Sequence, residues 1–182
     1  DHEKALEYAD LLIIHHPEQW IGYGFAAEEL LTLQRFEEAQ TKVHAGLEKF
    51  PNEVYFLTIA NHAYRASGDR KKSLAFANLL IKHHPDLTSG YILSTQDSIE
   101  INHLNEAQST IQTGLERIPN NIDLLKTAIE VCRAANDHEK ALEYADLLII
   151  HHPEQWIGYG FAAEELLTLQ RFEEAQTKVH AG

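Results

Sequence analysis

Three histidine pairs, His15-His16, His83-His84 and His151-His152, are the residues whose type and spacing most readily suggest chemistry. Imidazole is a common ligand for zinc, copper and nickel. Neighbours on a helix point about 100° apart, however, so one pair does not close easily on one ion. No cysteine or supporting carboxylate stands at ligand spacing from any pair. The pairs read instead as cation-capable residues at helix C-termini, where the helix dipole favours a protonated histidine by roughly 0.3–1 kcal/mol. Nucleophilic chemistry has one candidate, Cys132, which falls mid-helix on an apolar stripe and reads as an inert buried thiol. Paired acids such as Glu28-Glu29 and Glu37-Glu38 are helix neighbours that do not face one another, and read as solvated surface. No HExxH, glycine-rich phosphate loop or nucleophile elbow occurs. The sequence therefore predicts no enzyme, no resident cofactor and no metal site.

The elements that carry these residues follow one ruler. Prolines stand at Pro17, Pro51, Pro85, Pro119 and Pro153, each 34 residues after the last, and the chain has no others. Asp1–Gly46 returns letter for letter as Asp137–Gly182. Periods of this length mark repeat arrays, in which each unit buries its apolar face on its neighbours. Apolar spacing predicts a helix up to each proline and another after it. The expected helices are 1–16, 20–33, 36–50, 54–67, 70–84, 88–101, 104–118, 122–135, 138–152, 156–169 and 172–182. The short joints Gln34-Arg35, Gly68-Asp69, Asn102-His103 and Asn136-Asp137 leave room only for tight turns, with Gly or Asn suited to the left-handed conformation. No β signal competes.

Columns one repeat apart explain why these helices pair. Second helices align Ala5, Ala39, Ser73, Ala107, Ala141 and Ala175, and first helices align Ala26, Ala60, Ser94, Ala128 and Ala162. Small residues facing one another let helix backbones approach closely while larger ones interlock around them. A 68-residue rhythm lies above this: Asp69–Pro85 echoes Asp1–Pro17, and His103–Pro119 echoes Arg35–Pro51.

Composition sets outer bounds. At 44% hydrophobic and 24% charged, the chain can build a core. Its net charge of −13 opposes nucleic-acid phosphate and anionic lipid, so neither is an expected partner. Protonating the twelve histidines would nearly cancel that charge, so self-association is expected to rise as pH falls toward about 5.5. One cysteine excludes an intrachain disulfide framework and fits a reducing compartment, the cytoplasm first, with a disulfide-free periplasmic or surface location left open. No run is long and apolar enough to span a membrane. The chain opens inside a repeat and reads as a fragment that lacks targeting signals.

The 34-residue helix–turn–helix pattern resembles the tetratricopeptide repeat family over the whole chain. The terminal proline and second-helix alanine columns carry the resemblance, with Tyr23, Tyr91 and Tyr159 early in first helices, Tyr64 later, and the Gly68-Asp69 turn. The family's bulky-then-glycine pair is absent, reading Ala26-Ala27, Ala60-Asn61, Ser94-Thr95 and Ala128-Ile129 here. The resemblance implies an all-α solenoid, a right-handed superhelix spanning 1–182. Its parts would be a half repeat 1–19, repeats 20–53, 54–87, 88–121 and 122–155, and a truncated repeat 156–182.

It also implies that first helices line a concave groove for a peptide or protein segment. The resulting candidate partner residues are Tyr55, His62, Arg65, Gln96, Lys126, Glu130 and Arg133. Of the family's carboxylate-gripping Lys and Asn columns only Lys126 is matched. The expected function is a protein-interaction scaffold. Two alternatives stand beside it: a self-assembling array stacked head to tail, and an accessory region of a larger enzyme. Stacking would use uncapped ends, with Leu6, Tyr8 and Leu11 partly exposed.

Overall fold

A computed structural model describes residues 1–181 and shows eleven helices among them, with no strand. They are α1 (His2–His15), α2 (Trp20–Thr32), α3 (Phe36–Lys49), α4 (Val54–Ala66), α5 (Arg70–His83) and α6 (Thr88–Glu100). After these come α7 (Leu104–Arg117), α8 (Ile122–Ala134), α9 (His138–His151), α10 (Trp156–Thr168) and α11 (Phe172–Ala181). The expected end of the last helix at Gly182 lies outside the described residues.

Local chemistry fixes these ends. Each joint inside a helix pair holds one residue in the left-handed region: Gln34 (φ 59°), Gly68 (84°), Asn102 (60°), Asn136 (57°) and Gln170 (62°). The chain then folds back so that a later N–H caps the finished helix. Asp69 N–H donates to the Tyr64 carbonyl at 2.9 Å and Gly68 N–H to that of Arg65 at 3.1 Å, the paired bonds of a Schellman turn. Asp69 and Asp137 then start the next helices by accepting from Lys72 N–H and Lys140 N–H. At the other ends, each residue before a proline leaves helical geometry, as the proline ring demands.

The chain forms two compact units, Asp1–Leu93 and the described residues from Ser94 on. In the first, α1 to α5 each pack on the next in sequence, and the first helices α2 and α4 also touch. Ala26, Ala39 and Ala60 have no exposed surface, and Leu6, Ala9 and Leu30 close one layer around Ala26 and Ala39. A second layer joins Ala27, Val43, Ile59 and Ala60. Asn61 departs from the apolar column, and the structure supplies its partner: its amide donates to the Ser73 carbonyl at 2.9 Å and hydroxyl at 2.8 Å. A buried amide is tolerated only when bonded in this way.

In the second unit α7 to α11 likewise pack in sequence. Leu125, Ile129, Cys132, Ala141, Leu142, Ala145, Leu148, Ala162, Leu166 and Ala175 make one continuous core. The expected small columns are thus buried in both units. The exception is Ala5, only partly covered, since among the described residues no first helix stands before α1 as α8 stands before α9.

Second helices are tied one repeat back by polar side chains. Lys42 reaches Asp10 at 2.6 Å, and Lys178 makes the matching pair with Asp146. Arg35 forks onto Glu38 and reaches Glu3, and Arg171 does the same to Glu174 and Glu139. The guanidinium bonds hold the Glu38 and Glu174 carboxyls below their ordinary range. The histidine pairs act here as well. The ring N–H of His84 donates to the Asn52 carbonyl, and that of His152 to the Asn120 carbonyl, each at 2.6 Å. These rings are stitches between repeats and need no charge for it.

Candidate interaction surface

The sequence-derived candidates fall on two strips, one in each unit. On α4, Tyr55, Thr58, His62 and Arg65 follow the i, i+3, i+7, i+10 spacing of one helix face. His62 is exposed and Arg65 half-buried. Tyr55 is drawn inward. Its ring lies 4.9 Å from that of Trp20 and covers the backbone at Gly24, where a Cβ would collide with it. Burial, and then the Glu28 carboxylate beside it, raise the Tyr55 hydroxyl above its ordinary pKa.

On α8, Lys126, Glu130 and Arg133 share one face, at i, i+4 and i+7. Lys126 pairs with Asp123 at 3.2 Å, and Glu130 is exposed. Arg133 is the most constrained. Its guanidinium bonds Glu164 at 2.7 Å, bonds Glu165, and lies 5.1 Å from the centre of the Phe161 ring. Although its burial opposes the charge, the two carboxylates prevail, and the Arg133 pKa is raised. Gln96 lies half-buried on α6. This helix buries Ser94, Thr95, Asp97 and Ser98 where other first helices bury mostly alanine and leucine.

The paired-acid reading needs correction at one place. Glu165, the second-copy counterpart of Glu29, is 2% exposed and held between Arg133 and His138, the latter at 2.7 Å. Glu29 bonds only His2 in the same manner and stays 25% exposed. The letters are identical, so no signal within the repeat could reveal the difference. It comes from α8, which has no counterpart before α1 among the described residues. The end-face expectation also divides. Tyr8 and Leu11 are exposed, but Leu6 is buried in the α1–α2–α3 layer.

Cys132 is buried on the apolar side of α8, and burial pushes its thiol up to about 11, away from the thiolate form that reacts. It floors an open cleft of about 380 Å³ walled by α7 and α9, where the Tyr144 hydroxyl meets Gln112 at 3.3 Å. Among the described residues no three His, Cys, Asp or Glu side chains gather to hold a metal ion. None of the described helices is long and apolar enough to cross a membrane.

No family model and no curated protein matches the sequence. Solved structures do match the fold. A tetratricopeptide repeat protein from Parabacteroides merdae aligns with TM-score 0.76 at 15% identity, over 99% of this chain and 72% of that one. MamA aligns at 0.70 and 16% identity, over 87% of each chain. YrrB, a TPR protein described as having an unusual peptide-binding site, aligns at 0.67 and 14% identity, over 97% of this chain and 91% of its own. With the proline and alanine columns placed as above, these likenesses identify the chain as an all-α repeat solenoid of the tetratricopeptide-repeat fold.

Proposed function

We propose that the chain is a protein-interaction scaffold and that its first-helix strips dock a peptide or protein segment. One observation carries the reading: α8 covers its apolar side completely yet presents Lys126, Glu130 and Arg133 in a row on the other. Arg133 is set in place there by Glu164 and Phe161. A row of fixed charges of both signs selects a segment of complementary pattern, giving specificity more than raw affinity. In the first unit Tyr55, His62 and Arg65 offer an aromatic edge beside polar groups. Gln96 belongs to the same proposal, as does the division into repeats given above. A peptide-binding site in YrrB, of like fold, is consistent with this use. The net charge of −13 argues against nucleic acid as the partner.

Panning a random peptide library on the intact protein, then titrating selected peptides by calorimetry, tests the reading. Lys126→Glu with Glu130→Lys should weaken selected peptides by about tenfold or more, at unchanged helix content. Peptides that bind both forms equally would remove the α8 strip from the site.

A second reading, head-to-tail self-assembly, draws on the apolar residues exposed at the two ends of the sequence, Tyr8, Leu11 and Ile14 on α1 and Phe172 and Val179 on α11. Sedimentation that shows one monomeric species across a wide concentration range would set it aside.

A further inference from the structure

The 68-residue rhythm makes the two units an internal comparison at α4 and α8, where Tyr64 corresponds to Cys132. In the first unit the Tyr64 ring is 5% exposed and occupies the space between α3 and α5. It stacks on Phe76 of α5, with ring centres 5.5 Å apart and planes 11° from parallel. Its hydroxyl lies 2.6 Å from His44 Nε2 on α3, and the Lys72 ammonium stands 4.9 Å from the ring centre. The second unit keeps the surround and loses the ring. Lys140 stands for Lys72, Tyr144 for Phe76 and Gln112 for His44, and all three line the cleft of about 380 Å³ that Cys132 floors. Val131 in place of Ala63 adds only methyl groups to its wall, too little to replace a ring. One unit thus shows what fits the space left open in the other.

We propose that the cleft between α7 and α9 is a binding site for a small monocyclic phenol, whose ring takes the place that the Tyr64 side chain holds between α3 and α5. The ring rests on Cys132 and stacks against Tyr144, the Lys140 ammonium approaches its face, and its hydroxyl reaches Gln112. Stacking and a cation over the ring face both suit the charge distribution of an aromatic ring. Gln112 Oε1 accepts from the Tyr144 hydroxyl at 3.3 Å and has a second lone pair for the ligand. The volume lies near the small end of the range for ligand sites, about 300–1,000 Å³, which suits one ring better than an extended molecule. Neither Lys126 nor Glu130 lines the cleft, so the site is independent of the charge row proposed for peptide docking.

The probe is p-cresol, the tyrosine side chain as a free molecule, titrated into the intact isotope-labelled protein and followed by NMR. Saturable shifts confined to α7, α8 and α9 are expected. Toluene, which lacks the hydroxyl, should bind about threefold or more weakly. Cys132→Tyr should abolish p-cresol binding, because the chain's own ring then fills the cleft. Tyr144→Ala, at a partly exposed position, is the second variant should Cys132→Tyr alter the circular dichroism. It should weaken p-cresol by about tenfold or more, through loss of the stacking wall. Absence of saturable binding, shifts elsewhere in the chain, or binding indifferent to both variants overturns the proposal. So does toluene bound as tightly as p-cresol, since the hydroxyl is then not recognised. N-acetyltyrosinamide bound more tightly than p-cresol also overturns it, since the occupant is then a tyrosine of a polypeptide segment.

Discussion

Arg133 on α8 bonds Glu165 on α10, closing over a carboxylate that His138 holds from the other side. Removing one partner of a buried pair leaves a charge without compensation, and the loss exceeds what the pair itself contributes. Arg133→Ala should therefore destabilise the second unit by about 2 kcal/mol, below the fully buried case because Arg133 keeps a third of its side chain in water. Glu165→Gln should recover part of that loss in the double variant. Urea unfolding followed by circular dichroism measures both. Equal midpoints for wild type and Arg133→Ala would show that His138 alone suffices.

One substitution should have opposite results at two places with the same local sequence. Gly24→Leu drives a side chain into the Tyr55 ring and should cost about 1–3 kcal/mol, the range for overpacking. Gly160→Leu meets only the Trp156 ring and replaces a poor helix former, so stability should hold or rise by up to about 1 kcal/mol. Thermal unfolding of the two single variants decides this.

Gln34 and Gln170 occupy the left-handed turn position that Gly68 fills without strain. Side chains with a Cβ are disfavoured there, so Gln170→Gly should stabilise the α10–α11 joint by about 1 kcal/mol. The same change at Gln34 should give a similar gain. A lower unfolding midpoint for either would mean that the glutamine side chain contributes more than its backbone conformation costs.

The buried Cys132 thiol gives an alkaline signature. Its folded pKa, about 11, lies above the ordinary value of 9.0, so between those values the unfolded chain has released a proton that the native chain keeps. Stability is then full below about pH 9 and falls as pH rises to about 11. Burial raises Tyr55 and Tyr144 in the same sense. Cys132→Ser should reduce the slope in that window. At pH 8 a thiol reagent should label Cys132 only as fast as the unit opens, and rapid labelling of the native protein would contradict its burial.

The helix ends were legible because each is written in local chemistry. Residues before proline and turns at Gly68, Asn102 and Asn136 placed them within a residue of where they stand. The small columns were legible for a similar reason, since a repeat reports its core by what it keeps small. The fate of Glu165 was not, because it depends on the helix before the repeat. Nor was the inward turn of Tyr55, which needs Gly24 on another helix. Gln34 reads as part of a tight turn, but its positive φ, like that of Gln170, was not legible, because glutamine gives no advance sign of it. Asn61 showed as a departure, but only the Ser73 carbonyl opposite explained it.

The stitches between second helices also govern how such a molecule can grow. Lys42 to Asp10, Lys178 to Asp146, His84 to Asn52 and His152 to Asn120 all span 32 residues. Inserting one residue within such a span would misalign its bond, whereas inserting a full 34-residue unit would let the new unit make matching bonds with its neighbours. Lengthening by whole units therefore costs little and lengthening by fractions costs much, so the bonds themselves hold any added length to a step of 34 residues.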